Sequence, residues 1–171
     1  MFLQWLHEES IRTSFDAAVR EAALAELVAM LPSWGVNARQ KSELLNHLLE
    51  TQQSAVEAQG DVLICCAVRK DVAFPLASLA ISRNGVTFAG TPDNHTYSCL
   101  LLAVLPETED AASQMTHLQN DTELLFNDPF FRQRLKISES AAEAYEVLVR
   151  QSQHLEVAAD TAAGDRLISV S

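Results

Sequence analysis

Apolar residues recur at helical spacing in two segments of the N-terminal third, residues 16–31 and 38–51. In each segment leucines fall on one side, whereas arginine, lysine and glutamate occupy the other. Pro32 and Gly35 follow the first segment, and both residue types commonly end helices. The pattern therefore predicts two amphipathic helices.

Continuous apolar runs follow at residues 61–68, 74–82 and 98–105, and each is bounded by charged or turn-forming residues. Short runs of this kind are typical of strands buried on both faces. Asn84 and Gly85 separate the second run from residues 86–88, and this dipeptide favours the tight turn of a hairpin. We therefore expect at least three strands, with a short hairpin after the second.

Helical spacing returns after Pro106, in residues 111–126, in residues 130–135 and in a last helix capped by Ser138. Residues 151–171 are small and polar apart from residues 167–170, for which an edge strand or a loose end both fit. The order of elements predicts an α/β fold, a mixed β-sheet flanked by helices on both faces. We expect one domain over residues 1–150 and a partly ordered tail over 151–171.

Composition and charge narrow the class of protein. The chain has 171 residues, enough for one core without disulfides or a metal. No apolar run is long enough for a membrane helix, and the opening residues lack the pattern of a secretory leader, so we expect a cytoplasmic protein. A net charge of −11 disfavours nucleic acid and anionic lipid as partners. The five histidines show no metal-ligand spacing, and no phosphate loop or dinucleotide fingerprint occurs, so neither metal nor cofactor is expected.

Several stretches resemble the type-2 enzyme IIA family of the phosphotransferase system, which includes mannitol/fructose-specific and nitrogen-regulatory members. Residues 2–12 resemble its opening segment and residues 44–49 its second helix. Residues 100–106, Leu-Leu-Leu-Ala-Val-Leu-Pro, resemble an apolar strand that ends in proline. Thr116-His117-Leu118 resembles the histidine-leucine pair of the next helix, and residues 128–148 resemble the closing helices. The resemblance covers nearly the whole chain and implies the type-2 enzyme IIA fold. It also implies descent from proteins whose histidine accepts a phosphoryl group from a phosphocarrier protein.

The site of that histidine is altered in this chain. Where the family has proline-histidine-glycine, residues 62–67 read Val-Leu-Ile-Cys-Cys-Ala, and the resemblance places Cys66 at the position of the phospho-acceptor histidine. The resemblance also implies an active-site arginine, but residues 50–57, where the family carries it, contain none. His117 matches the second histidine of the pocket. Arg69 and Lys70 are the nearby cations that could bind a phosphoryl group or favour a Cys66 thiolate.

Each candidate also has a purely structural interpretation. Cys65 and Cys66 are equally well explained as small apolar residues on opposite faces of a buried strand. His117 fits a polar helix surface, and Arg69 and Lys70 fit a solvated one. A thiol-redox enzyme lacks support because the Cys-x-x-Cys spacing is missing.

The sequence leaves two functions open. The first is an enzyme IIA-like protein that works in phosphoryl relay or, with its site altered, as a regulatory protein-binding module. Its partner would be a phosphocarrier protein or a regulated protein target, and a homo-oligomer also fits. The alternative is an interaction domain unrelated to phosphoryl transfer, docking through the aromatic residues Trp5, Trp34, Phe130 and Phe131.

Overall fold

The computed structural model of the protein describes residues 2–17, 19–51, 55–58, 61–87 and 95–170. Within these residues the sheet has five strands in the order β1-β4-β5-β3-β2. β5 pairs in parallel with β3 and antiparallel with β4, whereas β1 is parallel to β4 and β2 is antiparallel to β3. The strands are β1 (Ile11–Arg12), β2 (Ala55–Ala58), β3 (Val62–Arg69), β4 (Leu76–Thr87) and β5 (Thr96–Pro106).

Helices cover both faces of this mixed sheet, which confirms the predicted fold class. One core cluster joins α1 (Arg20–Ala29) and α2 (Ala38–Glu50) to one face. The other joins α3 (Ala111–Phe126), α4 (Pro129–Lys136) and α5 (Ala141–Val170) to the opposite face, together with the 3₁₀ turn Phe2–Trp5. β5 is central and buried along nearly its whole length, which explains its continuous apolar sequence. No helix in the described residues has the length and apolar character needed to cross a bilayer.

Local capping explains why several predicted helix bounds agree with the structure. Asn37 accepts a hydrogen bond from the Gln40 backbone N–H at 2.9 Å, and the Gln40 side chain accepts one from the Asn37 N–H at 2.8 Å. Asp128 caps α4 through the Phe130 N–H at 2.9 Å. The start of α5 differs from the prediction, since Ser140 caps it by accepting from the Glu143 N–H at 3.1 Å. The Ser138 hydroxyl instead donates to the Arg134 carbonyl at 3.0 Å.

The hairpin predicted at Asn84 and Gly85 is wrong. β4 continues through these residues, and its pairing with β5 shifts register between Ile81 and Val86. Gly85 has a φ of 82°, and a Cβ there would overlap the Thr96 side chain, so the glycine is needed in an irregularity within one strand. Both halves of β4 pair with β5 and not with each other. Residue 88, the predicted end of the hairpin, lies outside the described residues.

Two further elements differ from the sequence-based expectation. β2 lies in a segment for which no strand was predicted, and it pairs antiparallel with β3. At the other end of the chain, residues 167–170 are helical, so the edge strand considered there is wrong. α5 also runs across the predicted boundary at residue 150. Gln151 is buried on this helix and donates to the Asp128 carboxylate at 3.3 Å, so packing continues beyond that boundary.

Candidate functional site

The carboxyl ends of the parallel strands β3 and β5 lie side by side and form the candidate site. Their register runs from Val62 opposite Cys99 to Arg69 opposite Pro106. The Glu107 N–H, just after β5, donates to the Arg69 carbonyl at 3.0 Å. Because β5 leads directly into α3, this edge brings together the end of β3 and the start of α3. The four predicted site residues are Cys66, Arg69, Lys70 and His117. All of them lie on β3, on α3 or in the turn after β3.

Cys66 lies within β3, opposite Ala103 of β5, and is partly buried. Its side chain packs against the core cluster beneath α3, whereas Cys65 belongs to the cluster beneath α1 and α2. The predicted placement of the two cysteines on opposite faces is therefore confirmed. Burial, with a smaller contribution from Cys65, raises the pKa of Cys66 from 9.0 to about 11. At neutral pH this thiol is protonated, so it is a poor nucleophile.

The only cation that acts on either of these two adjacent thiols, among the described residues, is Arg20 of α1, on the Cys65 side of the sheet. Its guanidinium donates to the Leu48 and Thr51 carbonyls at 3.4 and 3.5 Å, at the C-terminal end of α2. Burial still raises the pKa of Cys65 to about 11. Sequence reasoning missed Arg20, because no spacing signal links residue 20 to the end of the following helix.

His117 lies on the exposed surface of α3, in the wall of a cavity of about 320 Å³. The 3₁₀ turn Phe2–Trp5 forms the facing wall. The described lining residues are Phe2, Gln4, Trp5, Asp110, Ser113, Gln114, His117, Leu118 and Asp121. Cys66 is not among them, although it packs against the same core cluster as Leu118. The structure thus places Cys66 and His117 on one side of the sheet, with only His117 lining this cavity.

Arg69 is engaged by carboxylates at the end of β3. Its Nε lies 3.0 Å from Asp71 Oδ1, and its Nη2 lies 3.4 Å from Glu43 Oε2. The hydrogen bond between Arg69 and Asp71 raises the pKa of Arg69 and lowers that of Asp71. Arg69 and the exposed Lys70 line a second cavity, of about 390 Å³, with Glu43, Val68, Asp71 and Glu107. Neither cation lines the cavity beside His117.

The charges of both cavities are unfavourable for a phosphoryl group. In the cavity beside Arg69, three carboxylates outnumber two cations and leave one net negative charge. In the cavity beside His117, Asp110 and Asp121 meet no lysine or arginine among the described lining residues, which leaves two negative charges. In the part of the chain that the structure describes, no three His, Cys, Asp or Glu side chains are grouped as metal ligands.

The order of elements and the mixed sheet define the fold of type-2 enzyme IIA domains of the phosphotransferase system. The structure is similar to nitrogen regulatory protein IIA-Ntr from Neisseria meningitidis, with a TM-score of 0.70, 18% identity, and coverage of 86% of this chain and 98% of that chain. It is also similar to IIA mannitol from Escherichia coli, with a TM-score of 0.59, 19% identity, and coverage of 84% and 98%. A further match is the Escherichia coli complex of enzyme IIA mannitol with phosphorylated enzyme IIB mannitol, with a TM-score of 0.57, 19% identity, and coverage of 84% and 96%.

These structural similarities show a shared fold. No family model matches the chain, and no curated protein matches it by sequence.

Proposed function

We propose that this chain is an enzyme IIA-like regulatory module that binds a protein partner and accepts no phosphoryl group. The observation that carries the proposal is the raised pKa of Cys66. The resemblance assigns this residue the position of the phospho-acceptor histidine. Burial raises the pKa of its thiol to about 11. Arg69, the nearest predicted cation in sequence, is already paired with Asp71 and Glu43.

Phosphoryl transfer to a side chain needs a nucleophile in its reactive form, with cations or amide donors around the phosphoryl oxygens. A thiol with a pKa of about 11 is a thiolate in roughly one molecule in 10⁴ at pH 7. Asp110 and Asp121 beside His117 would repel the incoming oxygens. The chemistry of this edge therefore favours binding without transfer.

The fold supports a proposal for the partner. Enzyme IIA mannitol of Escherichia coli, which shares it, forms a complex with phosphorylated enzyme IIB mannitol. We infer that this chain docks a protein in the same system, a phosphocarrier protein or a regulated target in the cytoplasm. Which sugar or nitrogen pathway it serves depends on that partner.

The test is incubation with phosphoenolpyruvate, enzyme I and the phosphocarrier protein, followed by intact-mass measurement. IIA-Ntr from Neisseria meningitidis, treated in parallel, is the positive control. We expect the control to gain a phosphoryl group and this chain to keep its mass. A stoichiometric mass gain that disappears in Cys66→Ala or His117→Ala would overturn the proposal and restore the relay.

A second candidate, an interaction domain unrelated to phosphoryl transfer, is favoured by an aromatic cluster of His7, Trp34 and Phe74. Trp34 is 59% exposed, stacks on Phe74 with ring centroids 5.5 Å apart, and meets the His7 ring edge to face at 4.9 Å. Phe130 is also exposed, as predicted. The prediction for Phe131 is wrong, because this ring is buried.

A pull-down with the wild type and Trp34→Ala from the native cytoplasm separates the two candidates. Capture of a phosphocarrier protein, kinase or transporter subunit by both forms supports the regulatory module. Capture of an unrelated protein that is lost in Trp34→Ala supports the second candidate.

A further inference from the structure

The outer surface of α4 lies apart from the candidate site. α3 begins near the carboxyl edge of β3 and β5, and its 16 residues carry the chain about 24 Å along the helix axis before α4 starts. We propose that the exposed face of α4 docks a short acidic protein segment that carries an apolar side chain. The proposal goes beyond the regulatory module and does not depend on it.

Two exposed apolar side chains form the centre of this face. Phe130 is 80% exposed, the highest value among the exposed large apolar residues of the described chain, and Ile137 is also exposed. They are two helical turns apart with the exposed Gln133 between them, so the three share one side of α4. Phe131 and Leu135 are fully buried on the opposite side and attach the helix to the core. The packing of α4 therefore does not explain apolar residues at positions 130 and 137.

Cations border the apolar centre on both sides. Arg134 lies four residues after Phe130 on one side, and Arg132 and Lys136 lie one turn apart on the other. None of these three cations forms an ion pair with a carboxylate in the part of the chain that the structure describes. Arg83 of β4 brings a fourth cation, because its Nη2 donates to the Ile137 carbonyl at 3.5 Å.

This concentration of positive charge is unusual for the chain. Residues 129–137 contain no acidic residue, whereas the whole chain has 23 acidic and 12 basic residues. The carbonyl groups at a helix end favour cations in its last turn, which accounts for Arg134 and Lys136. It accounts neither for Arg132 nor for an exposed phenylalanine beside them. Arginine and phenylalanine are both enriched in protein interfaces, so the combination indicates a docking surface.

Charge and size identify the occupant. Carboxylates are the groups that pair with guanidinium and ammonium, and an apolar side chain would cover Phe130 and Ile137. α4 has eight residues, so its face is about 12 Å long and suits a short segment. A membrane or a nucleic acid would extend beyond it over a chain with a net charge of −11, which repels phosphate groups. A short segment avoids most of that repulsion, because exposed charges more than about 8 Å apart are screened at physiological ionic strength.

The experiment measures binding of a capped peptide, Glu-Asp-Leu-Glu-Phe-Asp-Glu, which carries a neutral fluorophore and is titrated with the full chain by anisotropy. One matched peptide has amides in place of all acids, and the other has alanine in place of its two apolar residues. We expect saturable binding of the first peptide and at least roughly tenfold weaker binding of both others.

Variants of the chain assign the binding to α4. Phe130→Ala should weaken it on the order of tenfold, as for an interface anchor, and Arg134→Ala about threefold, as for an exposed ion pair. Exchange of Arg132, Arg134 and Lys136 together for glutamine should abolish it. Arg39→Ala removes an 88% exposed cation from α2 and should leave it unchanged. Melting curves verify that all variants remain folded.

Selection of random peptides on the wild type, with depletion on Phe130→Ala, frees the test from one probe sequence. Enrichment of acidic sequences supports the proposal. No acidic enrichment, equal binding of the acidic and amide peptides, or unchanged affinity in both Phe130→Ala and the triple variant would overturn it. Tighter binding of phosphatidylglycerol vesicles or oligothymidylate than of the peptide would also overturn it, as would dimerisation in sedimentation runs that Phe130→Ala removes. None of these outcomes affects the intact-mass test of the regulatory module.

Discussion

Cys66 is expected to be a slow thiol, and the size of the effect follows from its burial. The test uses the double variant Cys65→Ala/Cys99→Ala. The chain has three cysteines, so Cys66 is the remaining thiol in this variant. In the wild type, burial and a smaller contribution from Cys65, which this variant removes, raise the pKa of Cys66 from 9.0 to about 11. At pH 8 a shift of that size lowers the thiolate fraction from roughly one in ten to roughly one in a thousand. Since the thiolate is the reactive species, we expect a rate about a hundredfold below that of an exposed cysteine.

The assay is reaction with an aromatic disulfide reagent, followed by absorbance from pH 7 to pH 10. The matched control removes all three native cysteines and introduces Gln153→Cys at an exposed position of α5. The logarithm of the Cys66 rate should rise in proportion to pH across the range, whereas the control rate should level off near pH 9. A first-order dependence on reagent concentration excludes a rate that is limited by unfolding.

Refutation would take one of two forms. A Cys66 rate equal to the control rate at pH 8 would contradict the burial argument. A rate that levels off near pH 7 would mean that a cation lowers the pKa of the thiol, and the nucleophile needed for a relay would be present after all. Either result would remove the main support for a module that accepts no phosphate.

The remaining predictions concern stability. Burial raises the pKa of all three thiols, to about 11 for Cys65 and Cys66 and about 12 for Cys99. The folded state therefore holds these protons more tightly, so their stabilisation is complete below pH 9 and is lost as the pH rises toward 11 or 12. By pH 10 the free energy of unfolding should fall by on the order of 1 kcal/mol per thiol, and a triple cysteine-to-alanine variant should remove this loss in urea titrations. Phe131→Ala should cost about 3–5 kcal/mol because the ring is fully buried. Phe130→Ala, at an 80% exposed neighbour, should cost less than about 0.5 kcal/mol, and equal losses in urea would contradict the assigned burial. Ser78→Ala removes the buried hydroxyl that donates to the Leu27 carbonyl at 2.8 Å, so thermal unfolding should show a loss of about 1–2 kcal/mol, and no change would refute that contact.

Much of the fold was predictable because its signals are local. The bounds of α2 and α4 follow from the capping residues Asn37 and Asp128, which act within three residues of their own position. Asn84-Gly85 was misinterpreted because a positive φ serves a hairpin turn and an irregular strand equally well. The choice between them depends on pairing with β5, which is a long-range contact. Only the tertiary structure supplies that information.

The candidate site was less predictable, because its chemistry depends on residues that are distant in sequence. Arg69 is a free cation in the sequence, yet in the fold it meets Glu43, which comes from α2. Trp5 and Asp121 face one cavity although 116 positions separate them. A fold specifies where a site lies, whereas the charges brought to that position decide what binds there. The carboxylates around this site come from two helices, α2 and α3, and from the turns after β3 and β5, and they leave both cavities with net negative charge, so an imidazole at residue 66 alone would not make it a phosphoryl site.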